Sequence, residues 1–151
     1  MPLLLKIKKG ILYIPSLYRI TLGLAIAIKE NFKNLSNVHN LQLHKAILQK
    51  NNMQDPTFAQ VLEGFRTRDE FISLTSECNE IGDLATEQIC HMISTPNENP
   101  MGADMPDLIP VKPKLPLLQE LKLINSKCPP RSMEKIIDSI KQSVTLQKLS
   151  L

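Results

Sequence analysis

Tryptophan is absent from this sequence of 151 residues, and aromatic residues of all kinds make up only 4% of it. The core is therefore expected to be aliphatic, built from leucine, isoleucine, valine and some methionine. Arginine is also scarce, so that most of the positive charge is lysine, and the net charge is only +3. A charge this small is no basis for predicting a nucleic-acid interface, and we expect no nucleic-acid partner.

Cysteine occurs only at positions 78, 90 and 128, and this odd, sparse set does not resemble a disulfide framework. It favours a reducing compartment, and we expect a cytoplasmic protein. The sequence has no C-x-x-C pair, and Cys90 occupies an apolar position of a helical pattern beside His91. We therefore expect a core cysteine rather than a metal ligand, and no metal or other cofactor. The five glycines are scattered and form no phosphate-binding loop.

Residues 1–10 form a basic and apolar N-terminal segment that includes Lys6, Lys8 and Lys9. Uncharged runs such as Ile20–Ile28 are far shorter than the roughly 20 residues that a membrane-spanning helix needs, so no membrane partner is expected. A secretory signal is disfavoured because Leu3–Leu5 precede the lysines. A mitochondrial presequence stays an alternative, since no acidic residue occurs before Glu30.

Four segments carry residues at the spacing i, i+3, i+4, i+7, which places them on one face of a helix. Their members are Phe58, Val61, Leu62 and Phe65; Thr86, Ile89, Cys90 and Ile93; Met133, Ile136, Ile137 and Ile140; and, more faintly, Ala25, Ile28, Lys29 and Phe32. Each stripe is predicted to face the core. On this interpretation Ile137 is buried, and Ile137→Asp should unfold its part of the chain.

Short clusters of the form apolar-x-x-apolar-x-apolar follow these stripes, and their period of two predicts short strands. The clusters are Val38, Leu41 and Leu43; Phe71, Leu74 and Ser76; Leu118, Leu121 and Leu123; and Leu146, Leu149 and Leu151. From Leu118 to Leu146 the chain spans one strand and one helix, and the span from Val38 to Phe71 is longer. The longest spacing contains residues 94–113, whose five prolines predict an inserted, exposed loop.

The stretch Phe71–Ile93, FISLTSECNEIGDLATEQICHMI, resembles a leucine-rich repeat of the ribonuclease-inhibitor-like type, with Asn79–Ala85 at the asparagine turn and the helix start. The resemblance covers residues 11–151. It implies an α/β fold in which stacked repeats form an arc, with parallel strands on the concave side and helices on the convex side. The asparagine position holds Ala46 in the first clear repeat and Ser126 in the third, so the turns cannot all be held by the same asparagine hydrogen bonds. We expect Asn79 to hold its own turn.

Leu151 is the third apolar residue of a strand pattern, and no polar cap follows it. Repeat arrays need a capping unit, so we expect the chain to be part of a longer solenoid.

In such an arc the non-leucine residues of the strands face the concave surface, where we expect the binding site. These residues are Asn40, Gln42, His44, Ser73, Thr75, Glu77, Glu120, Lys122, Lys148 and Ser150. His44 and Glu77 are predicted to form a solvated polar pair on neighbouring strands. Because the row has no aromatic anchor, we expect further contacts from apolar residues of the insertion. These are Met101, Met105, Leu108 and Ile109.

The resemblance implies a non-catalytic scaffold that binds other proteins within a multi-subunit assembly. No nucleophile with a positioned base can be identified, so we expect neither an enzyme nor a small-molecule substrate. Analogy with other members of the family suggests the cytoskeleton or the ciliary axoneme. Two alternatives stay open: a GTPase-activating protein resembling the Ran activator, and the sensor repeats of an innate immune receptor.

Overall fold

The computed structural model describes residues 7–15, 19–34, 43–68, 70–94 and 117–151. After an initial hairpin, strands and helices alternate along the chain. The elements are β1 (Ile7–Lys8), β2 (Ile11–Ile14), α1 (Leu22–Asn34), β3 (Lys45–Leu48), α2 (Asp55–Arg66), β4 (Ser73–Glu77), α3 (Asp83–Ile93), β5 (Glu120–Ile124), α4 (Pro130–Gln142) and β6 (Lys148–Ser150). The strands form one sheet in chain order, with β2 to β6 parallel and β1 antiparallel to β2. The predicted α/β class is confirmed.

The apolar stripes bury the helices against the sheet and against one another. All four stripe residues of α2 are fully buried, and α2 starts at a proline-containing first turn, where a missing N–H has no cost. Each helix packs against the next helix in the chain. In α4 only part of the stripe is covered: Ile136 is 0% exposed, whereas Ile137 is 39% exposed. The prediction that Ile137 is a core residue is wrong, because α3 is the one helix of the described chain that packs against α4.

Aromatic rings contribute more to the core than their number suggests. All four phenylalanines are fully buried, so the expectation of a purely aliphatic core needs correction. Phe32 of α1 lies 5.6 Å from Phe65 of α2, and Phe65 stacks on Phe71 at 5.0 Å between ring centroids. Such ring pairs contribute stability beyond the apolar area that they bury. The three rings therefore hold α1 and α2 against the segment that leads into β4.

Two pairs of neighbouring strands are separated by the same number of residues in the sequence. Lys45 pairs with Ser73 and Glu120 pairs with Lys148, and the two pairs have the same separation in sequence. Backbone conformation repeats with it, because Lys50, Cys78 and Asn125, each at the first or second position after its strand, all have φ between 49° and 58°. Non-glycine residues rarely adopt this conformation, so its recurrence marks equivalent turns.

The predicted strand position before α2 is wrong by five residues. The spacing apolar-x-x-apolar-x-apolar fits Val38, Leu41 and Leu43, but it also fits Leu43, Ala46 and Leu48. Pairing with β2 and β4 selects the second set, in which all three side chains are buried. Ala46 is therefore a strand residue.

The asparagine position between β3 and α2 is consequently held by Asn51. Asn51 is buried, and its side-chain amide donates a hydrogen bond to the Pro15 carbonyl at 3.2 Å. The prediction that Ala46 takes the asparagine position of this repeat is therefore wrong, because Asn51 has the place equivalent to that of Asn79. With this register, the spacing from Leu43 to Phe71 equals that from Leu118 to Leu146.

Asn79 holds its turn as expected. It is 1% exposed, and its Oδ1 accepts a hydrogen bond from the Met53 N–H at 2.9 Å. Its Nδ2 donates to Ser76 Oγ at 2.8 Å and to the Glu77 carbonyl at 3.2 Å. One side chain thus satisfies polar groups of its own turn and of the preceding one, which would otherwise be buried without partners.

The start of α3 is held by the preceding helix. The Asp55 carboxylate at the start of α2 accepts hydrogen bonds from the backbone N–H groups of Gly82 (2.9 Å), Leu84 (3.2 Å) and Ala85 (2.8 Å). Such donors at a helix start cannot be satisfied within the helix, and a negative charge there also complements the helix dipole. Asp55 therefore acts as a cap supplied by the neighbouring helix.

Candidate functional site

Alternate residues of β2 to β6 point away from the core and form one continuous surface, the outer sheet face. The pairing register arranges them in rows: Ile11, Lys45, Ser73, Glu120 and Lys148; Tyr13, Ile47, Thr75, Lys122 and Ser150; and Glu77 with Ile124. Their neighbours along the strands, such as Leu74 and Leu121, are fully buried. The helices thus cover one side of the sheet, and the outer sheet face is its other side.

Most of the predicted strand residues lie on this face. Thr75, Glu77, Glu120 and Lys122 are half-buried there, and Lys148 and Ser150 are exposed. Ser73 belongs to the same face but is buried. Apart from His44, the remaining predicted contacts lie outside the described residues. These are Asn40, Gln42, Met101, Met105, Leu108 and Ile109, the last four in the predicted insertion.

His44 does not pair with Glu77. The five-residue correction places His44 just before β3, where its backbone N–H donates to the Gly10 carbonyl at 2.8 Å. Its ring fills the space beside Gly10, where a Cβ atom would lie 2.5 Å from the ring. Glu77 is at the other end of the strands, since its carbonyl accepts from the Lys50 N–H. The predicted pair is therefore wrong, for the same reason as the strand position.

Glu70 organises the backbone next to His44. Its Oε1 accepts hydrogen bonds from the Leu43 N–H (3.0 Å) and from Nε (3.0 Å) and an Nη atom (2.9 Å) of Arg68. His44 Nδ1 lies 3.3 Å from the Glu70 carbonyl oxygen. Burial acts to raise the pKa of Glu70, but the hydrogen bonds from Leu43, its own backbone and Arg68, with the charge of Arg68, together lower it below its ordinary value.

A pH-dependent contribution to stability follows from this lowered pKa. A group whose pKa is depressed on folding stabilises the protein above its unfolded pKa, and that contribution is lost as the pH falls through the folded pKa. We expect Glu70→Gln to lower the free energy of unfolding at pH 7, and the difference from the parent to shrink as the pH falls below about 4.5. Urea unfolding at several pH values measures this. A difference that is constant with pH would contradict it.

The charged part of the outer sheet face is centred on Glu120. Three lysine ammonium groups surround this one carboxylate: Lys45 at 3.5 Å, Lys122 at 3.8 Å and Lys148 at 3.9 Å. The Glu120 side chain is mostly buried, whereas the Lys122 and Lys148 side chains are much more exposed. Glu77 is the other carboxylate in the rows of this face, so the three lysines and two carboxylates leave the face with a net charge of +1.

An apolar patch lies at the β2 end of the same face. Tyr13 is 49% exposed and stands directly across from Ile47, beside Ile11, which is also exposed. Its hydroxyl donates a hydrogen bond to Gln49 Oε1, which orients the ring. Tyr13 is an aromatic anchor that the predicted row of strand residues lacks. The signal was present in the alternation of Ile11–Ile14, in which Leu12 and Ile14 are buried.

A concavity of about 390 Å³ lies between α3 and α4. It is lined by Asp83, Thr86, Glu87, Cys90, His91, Arg131 and Lys135. Burial raises the pKa of the Cys90 thiol, which therefore stays protonated at neutral pH and is a poor nucleophile. Its Sγ faces the Lys135 carbonyl at 3.6 Å. In the described part of the chain, no three histidine, cysteine or acidic residues lie close enough together to bind a metal ion.

Over the described ranges, every helix is too short or too polar to cross a membrane. No protein-family model matches the sequence, and a search of curated proteins found no match.

Proposed function

We propose that this protein is a leucine-rich-repeat protein of the ribonuclease-inhibitor-like type, and that it serves as a non-catalytic surface for binding other proteins within a larger assembly. The repeat part of the proposal is supported by the equal sequence step between paired strands, the equivalent turns with positive φ, and the recurring asparagine position at Asn51 and Asn79. These features match the sequence resemblance in period and in turn chemistry.

The binding part of the proposal is carried by one observation, the continuous outer sheet face. It combines an exposed aromatic ring, Tyr13, with a cluster of lysines around Glu120 on the neighbouring strands. Tyrosine is enriched at the centre of protein-binding surfaces, and the rim around that centre is usually polar. A parallel sheet is normally covered on both faces, so a face with exposed apolar groups suits a partner.

Site-specific photo-crosslinking in lysate of the source cells tests this function. A benzophenone amino acid at position 13 replaces one aromatic ring by another on the outer sheet face. The matched control is the same residue at position 84, because Leu84 is equally exposed (50%) but lies at the start of α3. We expect a discrete crosslinked product from position 13 that excess unlabelled protein abolishes. Equal products from both positions, or none from position 13, would contradict the proposal.

The assembly is proposed to be cytoskeletal or axonemal, a placement supported by the resemblance to family members found there. Detergent extraction of the source cells tests it. We expect most of the protein in the insoluble cytoskeletal fraction, together with the partner crosslinked from position 13. Recovery of the protein entirely in the detergent-soluble fraction would contradict this placement while leaving the binding function intact.

A further inference from the structure

The part of the outer sheet face that the described strands form is small. Its five parallel strands, about 4.8 Å apart, span roughly 19 Å, and strands of three to five residues at about 3.3 Å per residue run for no more than about 16 Å. The strands therefore cover an area of roughly 300 Å² in projection. A standard interface between two folded proteins buries about 800 Å² on each partner. An extended segment of chain can therefore lie entirely within the described part of this face.

An apolar pair of residues and a lysine lie in one row of this face. In the row Tyr13, Ile47, Thr75, Lys122, Ser150, the apolar pair occupies β2 and β3, and Lys122 occupies β5. Lys148 on β6 and Lys45 on β3 approach the same carboxylate as Lys122. Tyr13 and Lys122 are three strand spacings apart, which is about 14 Å.

We propose that the outer sheet face binds an extended acidic segment of another protein, which places an apolar side chain on Tyr13 and Ile47 and a carboxylate between Lys122 and Lys148. The inference rests on the proposed binding function and adds the chemistry of the partner. A carboxylate is favoured because Glu120 and Glu77 together leave one of the three lysine charges of the face unbalanced, and an incoming anion completes the pairing. The exposure of Lys122 and Lys148 leaves both ammonium groups accessible.

The geometry also sets a spacing within the segment. An extended chain advances about 3.3 Å per residue, so about four residues cover the roughly 14 Å between the apolar patch and Lys122. A segment with a phenylalanine and an aspartate four positions apart satisfies both contacts at once. Adjacent phenylalanine and aspartate residues cannot, because they are only about 3.3 Å apart along an extended chain.

Fluorescence anisotropy with labelled synthetic peptides tests the proposal. The probes are twelve-residue glycine–serine peptides that contain one phenylalanine and two consecutive aspartates starting four positions away, in both orders. The comparison peptides have asparagine or lysine in place of aspartate, or the aspartates directly beside the phenylalanine. We expect one aspartate probe to bind the parent protein at least tenfold more tightly than all the comparison peptides, and to weaken as salt is raised.

Charge reversal identifies the site. Lys122→Glu combined with Lys148→Glu should weaken the aspartate probe at least tenfold and should favour the lysine peptide instead. The double change to glutamine keeps the test valid if the glutamate variant fails to fold. Lys135→Glu combined with Lys141→Glu, at two exposed lysines of α4, changes the net charge equally; it is the matched control and should leave binding unchanged.

The outcomes separate this inference from the proposed function. Equal binding of the aspartate and asparagine probes, undiminished binding to the double variant, or no binding below about 1 mM would overturn the acidic-segment proposal. If crosslinking from position 13 persists in any of these cases, the binding function stands and only the partner chemistry is wrong. If the crosslink is also absent, both fail.

Discussion

Ile136→Asp is expected to abolish the folded state of α4 and to lower the free energy of unfolding by more than about 4 kcal/mol. Ile136 is 0% exposed and belongs to the contiguous apolar core. The substitution removes a buried aliphatic side chain and forces a carboxylate either to stay in the core or to pull the helix away. Because domains of this size are stable by only about 5–15 kcal/mol, we expect a large fall in the melting temperature measured by circular dichroism.

The adjacent residue supplies the control. Ile137 is 39% exposed, so Ile137→Asp should cost about 1 kcal/mol or less. The two variants have the same composition and differ only in which face of α4 carries the charge. Equal melting temperatures for the two variants would show that the buried face of α4 has been assigned wrongly.

Asn79→Ala is expected to cost about 3 kcal/mol, the second-largest effect of a single substitution. The side chain is buried and makes hydrogen bonds with the Met53 N–H, Ser76 Oγ and the Glu77 carbonyl. Truncation leaves the Met53 donor buried without a partner, and that desolvation costs about 1–3 kcal/mol before the other bonds are counted. Denaturant unfolding measures the loss, and hydrogen exchange at Met53 should locate it.

Ser126 is the matched control because it occupies the same position in the turn that follows β5. Its Oγ makes no hydrogen bond to any group in the described part of the chain. Ser126→Ala should therefore change the free energy of unfolding by less than about 0.5 kcal/mol. A loss as large as that of Asn79→Ala would mean that the position, rather than the asparagine hydrogen bonds, determines stability.

The helices could be predicted from the sequence where all four residues of a stripe are large and apolar. The stripe of α2 has four large apolar residues at helical spacing, and no other conformation buries them all. The turn at Asn79 could also be predicted, because asparagine, glycine and aspartate follow closely on one another between a strand pattern and a helix pattern. The weak point was α4, where the apolar residues Ile136 and Ile137 are adjacent and cannot both face the same neighbour.

The register before α2 could not be derived from the chain alone. Leu43 fits as the last residue of one apolar pattern and the first of another, and both patterns have the period that a strand requires. The choice depends on pairing with β2 and β4, which lie far away in sequence. The error then extended to the candidate site: His44 was placed on the binding face, while Lys45 and Ile47, which occupy it, were missed.

The outer sheet face likewise combines features that local sequence patterns encode with features that only the tertiary structure creates. The sequence by itself determined the alternation of strands and helices, the apolar stripes that bury the helices, and the turn held by Asn79, because these follow from local periodicity and hydrogen-bonding chemistry. Only the tertiary structure decided that Tyr13 and Ile47 lie side by side and that three lysines from three strands share Glu120. Such contacts join residues up to about 75 positions apart, and no local pattern encodes which strands become neighbours.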